Sequence, residues 1–150
     1  MRVVLRLILT LAAFHAGLAA RAEEKIDVMS GRPGVTVPIY LHVAERPVAG
    51  AVLFPGGSGA VHRARRNFLV RAADDFAAAG IMVAVADTPS DHPDGMDRAL
   101  RASEAQATDA AAIVAFLDSR AAVQVWLVGS SNGSISAPRA GRCRRMASWG

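Results

Sequence analysis

Short apolar runs alternate along the chain with stretches that have the spacing of helices. Apolar residues fill positions 49–54, 81–86 and 123–128 almost without interruption. A strand with one face in water would show a polar residue at every second position, so this continuous apolarity predicts strands buried on both faces. The pattern therefore predicts a sheet that is covered by other elements on both sides.

Helical spacing occurs in the two segments between these runs. Phe68, Ala72 and Phe76 form an apolar stripe, which predicts a helix over 67–79 that ends at Gly80. A second, alanine-rich helix is predicted over 97–119, with its charged residues facing water. Its predicted buried side chains are Leu100, Ile113, Val114, Phe116 and Leu117. The alternation of strand and helix predicts an α/β fold with a parallel βαβαβ unit.

The segment before the first apolar run has a different pattern. Residues 35–43 are rich in β-branched and aromatic side chains, and turn-forming residues precede them at 31–34. These features predict an opening antiparallel hairpin or meander. Pro38 indicates an edge strand, because proline cannot donate a hydrogen bond to a neighbouring strand.

The start of the chain has the features of an export signal. Arg2 and Arg6 precede an apolar run over 7–20, and the Ala-Arg-Ala sequence at 20–22 has the pattern of a cleavage site. We therefore predict a signal peptide over 1–22, cleavage after Ala22, export to the periplasm or the exterior, and no other membrane association. A retained membrane anchor is the alternative, but a spanning helix needs about 20 apolar residues.

The net charge of +4 arises at the two ends of the chain. Three of the 17 Lys and Arg residues lie within 1–22 and four within 139–145, which leaves ten against thirteen carboxylates over 23–136. A mildly acidic body predicts no binding of nucleic acid. The four histidines are scattered, which predicts no metal site, and the single cysteine, Cys143, has no partner for an internal disulfide.

A candidate nucleophile follows the third apolar run directly. Residues 129–133, with the sequence GSSNG, match the pattern G-x-S-x-G, in which the serine lies on a strained turn between a strand and a helix. Gly129 and Gly133 would be needed where backbone segments approach each other closely. The pattern predicts Ser131 as the nucleophile; a plain Gly/Ser loop after a strand is the alternative.

A second glycine-rich loop follows the first apolar run, at residues 55–59 with the sequence PGGSG. Glycines allow backbone N–H groups to turn towards an oxyanion, so this loop is a candidate for half of an oxyanion hole. A phosphate-binding loop is disfavoured because the glycine it needs at position 62 is replaced by His62, and no Gly-Lys-Ser/Thr sequence is present. A plain turn is the remaining alternative.

The order of the segments VLFPGGSG, IMVAVADTPSD and VWLVGSSNGSISA resembles the α/β-hydrolase superfamily over residues 25–137. The resemblance implies a partial α/β-hydrolase sheet, with N-terminal antiparallel strands and then the βαβαβ unit. It also implies a serine hydrolase that acts, without a cofactor, on an ester, lactone or amide bond of a small molecule. Ser131 would be the nucleophile, and the oxyanion hole would combine the N–H of Asn132 with that of Gly57 or Ser58.

The chain departs from the family pattern after the nucleophile. The family places its catalytic Asp or Glu and its His after the serine, but residues 132–150 contain none of these. The triad acid and base are therefore unassigned. His92, His62 and His42 are weak substitutes, and Asp87, at a predicted strand end, is either a site-lining carboxylate or a turn residue.

The sequence changes character at about Ala137. Residues 138–150 are basic and lack an apolar stripe, so we expect a disordered tail that is not family sequence and arises from a lost reading frame, with the later strands missing. A genuine basic extension is the alternative. On this hypothesis the chain is inactive, or is a non-catalytic remnant or small-ligand-binding module. Strand 123–128 would lie beside strand 51–54 with its outer edge exposed, which predicts self-association.

Overall fold

A five-stranded mixed sheet with helices on both faces forms the fold of residues 23–137, the part of the chain that this computed structural model describes. The predicted signal peptide, the predicted tail over 138–150 and Cys143 lie outside the described residues. The elements in chain order are β1 (Glu24–Met29), β2 (Thr36–His42), β3 (Ala49–Phe54), α1 (Phe68–Ala78), β4 (Ile81–Ala86), α2 (Arg98–Arg101), α3 (Glu104–Arg120) and β5 (Val125–Gly129). Short 3-10 turns span Val61–Arg63 and Ser131–Ile135.

The strands lie in the order β1-β2-β4-β3-β5. Strands β1, β2 and β4 pair antiparallel, whereas β3 pairs parallel with both β4 and β5. The predicted opening hairpin and βαβαβ unit are therefore confirmed, as is the predicted place of β5 beside β3. Crossovers from β3 to β4 and from β4 to β5 run in opposite directions along the sheet, which places their helices on opposite faces.

Each face of the sheet has its own apolar core. Val52 and Phe54 of β3 point to the face that α3 covers, where Ile113 and Leu117 pack against them. The alternate residues of β3, Ala51 and Leu53, point to the face that α1 covers with Leu69 and Ala73. Full burial of one such side chain contributes about 1.5–3 kcal/mol, so both faces of β3 stabilise the sheet.

The prediction of an edge strand at Pro38 is wrong. Strand β2 lies between β1 and β4, and the pairing of Ile39 with Ala86 places Pro38 opposite Asp87, one residue beyond the end of β4. The Asp87 N–H donates to the Pro38 carbonyl oxygen at 2.9 Å. Pro38 therefore lies opposite a residue beyond the end of β4. Because no β4 residue there needs its N–H group, β2 can hold a proline at this position although it is an interior strand.

The predicted long helix over 97–119 is two helices. Helix α2 is capped by the Asp97 side chain, and α3 begins after Ser103, whose hydroxyl accepts a hydrogen bond from the Gln106 N–H. Ile113 and Leu117 are buried as predicted, but the other three predicted core residues, Leu100, Val114 and Phe116, are only half-buried. No helix within residues 23–137 is long and apolar enough to cross a membrane.

The expectation that charged residues of this segment face water is also wrong for Arg101 and Asp109, which are 1% and 2% exposed. Asp109 accepts hydrogen bonds from the Ser30 hydroxyl and from the Arg32 guanidinium, which also binds Asp91. Hydrogen bonds to Asp109 and Asp91 raise the pKa of Arg32, and the bond to Arg32 lowers the pKa of Asp91. The network fixes the β1–β2 turn against α3.

Substitution of Arg32 by alanine should destabilise the fold, because it leaves the carboxylate of Asp109 buried without its cation. Breaking a buried ion pair costs about 3–5 kcal/mol, and we expect the lower end because Arg32 is partly exposed. Denaturant unfolding of R32A measures the change, with R46A as the control because Arg46 is exposed. A loss below about 1 kcal/mol, the range of a surface ion pair, would contradict this role.

Strand β5 forms one edge of the described sheet, and its Trp126 side chain is 58% exposed. Self-association through this edge stays a prediction. We expect W126K to lower the mass measured by sedimentation of the full chain, because lysine on an edge strand opposes strand pairing. F68K is the control, since Phe68 is 59% exposed but lies on α1. A wild-type chain that is monomeric at all concentrations would refute the prediction.

Candidate active site

The turn after β5 holds Ser131 in an unusual backbone conformation. Ser131 has φ of 51°, and it is the only residue other than glycine with positive φ within residues 23–137. Such a conformation costs about 1–3 kcal/mol and persists only where the surrounding structure imposes it. The chain turns here from β5 into the 3-10 turn Ser131–Ile135, and the Ser131 residue is exposed.

Two close backbone contacts impose this turn. A Cβ atom on Gly129 would lie 2.6 Å from the Ser134 Cα, and one on Gly133 would lie 2.7 Å from the Phe54 carbonyl carbon. Both distances are shorter than any real contact of a Cβ atom, so neither position has space for a side chain. The Ser130 N–H also donates to the Phe54 carbonyl oxygen at 3.2 Å, which fastens the turn to the end of β3. These are the geometric features of a nucleophile elbow.

The glycine-rich loop after β3 lies directly against this elbow. A Cβ atom on Gly56 would lie 3.0 Å from the Ser131 Cβ. The loop turns at Gly57, which has φ of 64°, and the Gly59 N–H closes the turn on the Gly56 carbonyl oxygen at 3.2 Å. The structure thus brings together the two loops that the sequence analysis singled out.

The predicted oxyanion donors are at this junction. Within residues 23–137, the backbone N–H groups of Gly57, Ser58 and Asn132 make no hydrogen bond. The Asn132 side chain extends to the Gly57 carbonyl oxygen at 3.4 Å, so elbow and loop are also in direct contact. Their roles as oxyanion donors stay predictions, and both Gly57 and Ser58 are candidates for the upstream one.

Asn67 connects helix α1 to the elbow. Its side-chain oxygen accepts a hydrogen bond from the Leu69 N–H at 2.9 Å and so caps the helix. Its side-chain nitrogen donates to the hydroxyl of Ser130, next to Ser131, at 2.9 Å. The sequence analysis placed Asn67 at the helix start but missed this second contact, which depends on how the helix packs.

The buried Arg101 side chain binds the glycine-rich loop. Its guanidinium donates to the carbonyl oxygens of Pro55 and Gly57 and to the hydroxyl of Ser136, each at 3.3 Å. Burial lowers the pKa of Arg101. The sequence analysis missed this residue, because an arginine in a predicted amphipathic helix is expected to face water.

A pocket of about 270 Å³ opens beside the loop, just below the roughly 300–1,000 Å³ of typical small-molecule sites. Its lining residues are Gly56, Gly57, Ser58, Ala60, Arg63, Ala64 and Asn67. The Arg63 side chain is held there by a hydrogen bond to the Asp94 carbonyl oxygen at 3.0 Å. The pocket therefore adjoins the elbow, since Gly56 touches Ser131 and Asn67 binds Ser130.

Comparison with known proteins supports one fold. The sequence matches no protein-family model and no curated protein. The structure of DcsB in complex with its substrate analogue is 20% identical, with a TM-score of 0.64, and the match covers 83% of this chain and 42% of that one. XC6422 from Xanthomonas campestris, described as an α/β serine hydrolase without a lid, is 16% identical, with a TM-score of 0.57 and coverage of 81% and 57%.

Residues 23–137 have an α/β-hydrolase-like fold. The resemblance stated from the sequence is thus confirmed at the level of the fold. The chain spans about half the length of these two structures. Their identities are too low to carry over any activity.

The α/β-hydrolase-like fold does not bring a candidate base to Ser131 within residues 23–137. His42 is buried at the end of β2, where it binds Asp74 at 2.8 Å, and His62 and His92 are exposed. Asp87 accepts hydrogen bonds from the neighbouring Thr88 N–H group and from the Val61 N–H group that follows the glycine-rich loop. These described residues hold no cluster of three potential metal ligands.

The elbow geometry predicts a large effect for alanine at Gly133. The added methyl group would overlap the end of β3, so we expect a loss of about 3 kcal/mol or more in the free energy of unfolding. G34A is the control, because Gly34 has φ of 71° but open space around it, and this variant should lose only about 1–2 kcal/mol. Denaturant unfolding compares the two, and equal losses would contradict the predicted overlap.

Proposed function

We propose that the chain is a serine hydrolase of the α/β-hydrolase type, which acts on an ester, lactone or amide bond of a small molecule. The observation that carries this proposal is the positive φ of Ser131 on a tight turn that abuts the glycine-rich loop. A serine in such a turn presents its hydroxyl beyond the end of the strand, where substrate has access.

In the proposed reaction, the Ser131 hydroxyl oxygen attacks the carbonyl carbon and its proton passes to a base. The carbonyl electron pair moves to the oxygen, and the resulting anion receives hydrogen bonds from the Asn132 N–H and from that of Gly57 or Ser58. Collapse of the tetrahedral intermediate breaks the bond to the alcohol or amine, which takes the proton back from the base, and leaves an acyl group on Ser131 that water then hydrolyses to the acid. One oxyanion donor accelerates such a step by about 10²–10³-fold.

Residues 23–137 supply no base for this mechanism. None of the histidines at positions 42, 62 and 92 makes a hydrogen bond to Ser131. We therefore propose that the chain as it stands turns over slowly. Serine hydrolases that lose a triad member keep about 10³–10⁴-fold acceleration over water from the oxyanion hole and from binding.

A non-catalytic module that binds a small ligand is the second candidate function. The pocket beside Arg63 and Asn67 favours this candidate, because it lies next to the elbow whether or not a base is present. Both candidates concern a small molecule and invoke no cofactor. Export stays a proposal that rests on the sequence of residues 1–22 alone.

Labelling with a fluorophosphonate probe distinguishes the two functions. We expect slow covalent labelling of the full chain that disappears in S131A, because a strained serine beside free N–H groups attacks phosphorus through the same oxyanion geometry. Intact-protein mass spectrometry measures the rate, and tryptic digestion locates the adduct.

S119A is the matched control, since Ser119 is an exposed serine at the end of α3 and should not affect labelling. Labelling that persists in S131A would refute the assignment of the nucleophile. A folded wild-type chain without any labelling would favour the ligand-binding module.

A further inference from the structure

The Arg101 side chain is a buried cation without a carboxylate partner among residues 23–137. Removing an ion from water costs several kcal/mol, and here neutral oxygen atoms alone offset that cost. Its Nε atom is also buried and makes no hydrogen bond within these residues. The burial of Arg101 is therefore costly in itself, and its hydrogen-bond partners show what the side chain holds in place.

The side-chain hydrogen bonds of Arg101 go to the glycine-rich loop and to the residue that follows the elbow turn. Two of its hydrogen bonds go to the loop carbonyl groups of Pro55 and Gly57, and the third goes to the Ser136 hydroxyl just beyond the elbow. A Cβ atom on Gly59 would lie 2.6 Å from the guanidinium Nη2, so the loop wraps closely around the charge. Arg101 therefore fixes the loop and the elbow relative to each other.

The bond to Gly57 determines the direction of one peptide group. The hydrogen bond that closes the turn Gly56–Gly59 does not involve the central Gly57–Ser58 peptide. This bond therefore leaves the orientation of that peptide open, and the orientation is what distinguishes one turn type from another. A trans peptide directs its N–H opposite to its C=O. Because the Gly57 carbonyl points to Arg101 and Asn132, the Ser58 N–H points away from both.

We propose that Arg101 is a positioning residue for the oxyanion hole, which holds the Gly57–Ser58 peptide and aligns the glycine-rich loop with the elbow. The inference rests on the proposed function. Lysine cannot replace arginine fully, since the planar guanidinium binds the loop carbonyl groups through Nη2 and the Ser136 hydroxyl through Nη1 in a fixed geometry.

Substitution of Arg101 in the full chain tests this role through the rate of Ser131 labelling. We expect R101Q to label about 10–100-fold more slowly, which approaches the loss of one oxyanion donor, and R101K to fall between R101Q and the wild type. R98Q is the matched control, because Arg98 lies on the same helix but is exposed. Saturation with probe should give an unchanged half-saturating concentration, since positioning affects the reaction step and not binding. Unchanged labelling rates in folded R101Q and R101K would overturn the proposal.

The order of the loop gives a second readout that needs no reaction. Amide relaxation by NMR should show the Ser58 N–H rigid in the wild type and in R98Q, but mobile in R101Q and R101K. Equal rigidity in all four proteins would overturn the proposal. If R101Q does not fold, R101K decides the outcome, because it keeps the positive charge and loses only the planar arrangement of the guanidinium nitrogens. A wild type that does not label refutes the proposed function, and the relaxation data then show by themselves whether Arg101 orients the peptide.

Discussion

The candidate site depends on one contact, at the point where β3 ends. The Phe54 carbonyl oxygen accepts a hydrogen bond from the Ser130 N–H, and Gly133 lies against the same peptide group without space for a side chain. The next carbonyl group, that of Pro55, accepts a hydrogen bond from Arg101. Two consecutive peptide groups therefore align the elbow and the glycine-rich loop.

This contact explains how Ser131 can keep a strained backbone. Parallel pairing of β3 with β5 places Phe54 opposite Gly129, so the register of the sheet brings both turns to one edge. The strain at Ser131 is then offset by contacts on each side of it, because the chain before it pairs with β3 and the chain after it packs against the Phe54 peptide group. The turn geometry at Ser131 is thus a consequence of strand register, and not of local propensity.

The sequence predicted the central part of the fold well for a physical reason. Strands β3 and β4 are covered on both faces, and this burial requires an uninterrupted run of apolar residues. Such a run is easy to recognise in the sequence. Buried charges were missed for the opposite reason, since Arg101 and Asp109 resemble surface residues until a partner from a distant segment is known. The break between α2 and α3 had a local signal, because Ser103 followed by Gln106 has the pattern of a capping box.

The sequence pointed to the turn at Ser131 and to the glycine-rich loop because short motifs encode backbone conformation, which neighbouring residues largely determine. A catalytic base is different, since another segment of the chain must place a side chain of suitable pKa beside the serine. No local sequence pattern specifies the distance between that side chain and the serine hydroxyl. The two halves of a hydrolase site are therefore physically separable. In the proposed mechanism, residues 23–137 supply the half that stabilises a tetrahedral anion, through N–H groups on the two loops that β3, β5 and Arg101 align. Such a half-site can bind an anion in place, but it does little to remove the proton of the attacking hydroxyl group.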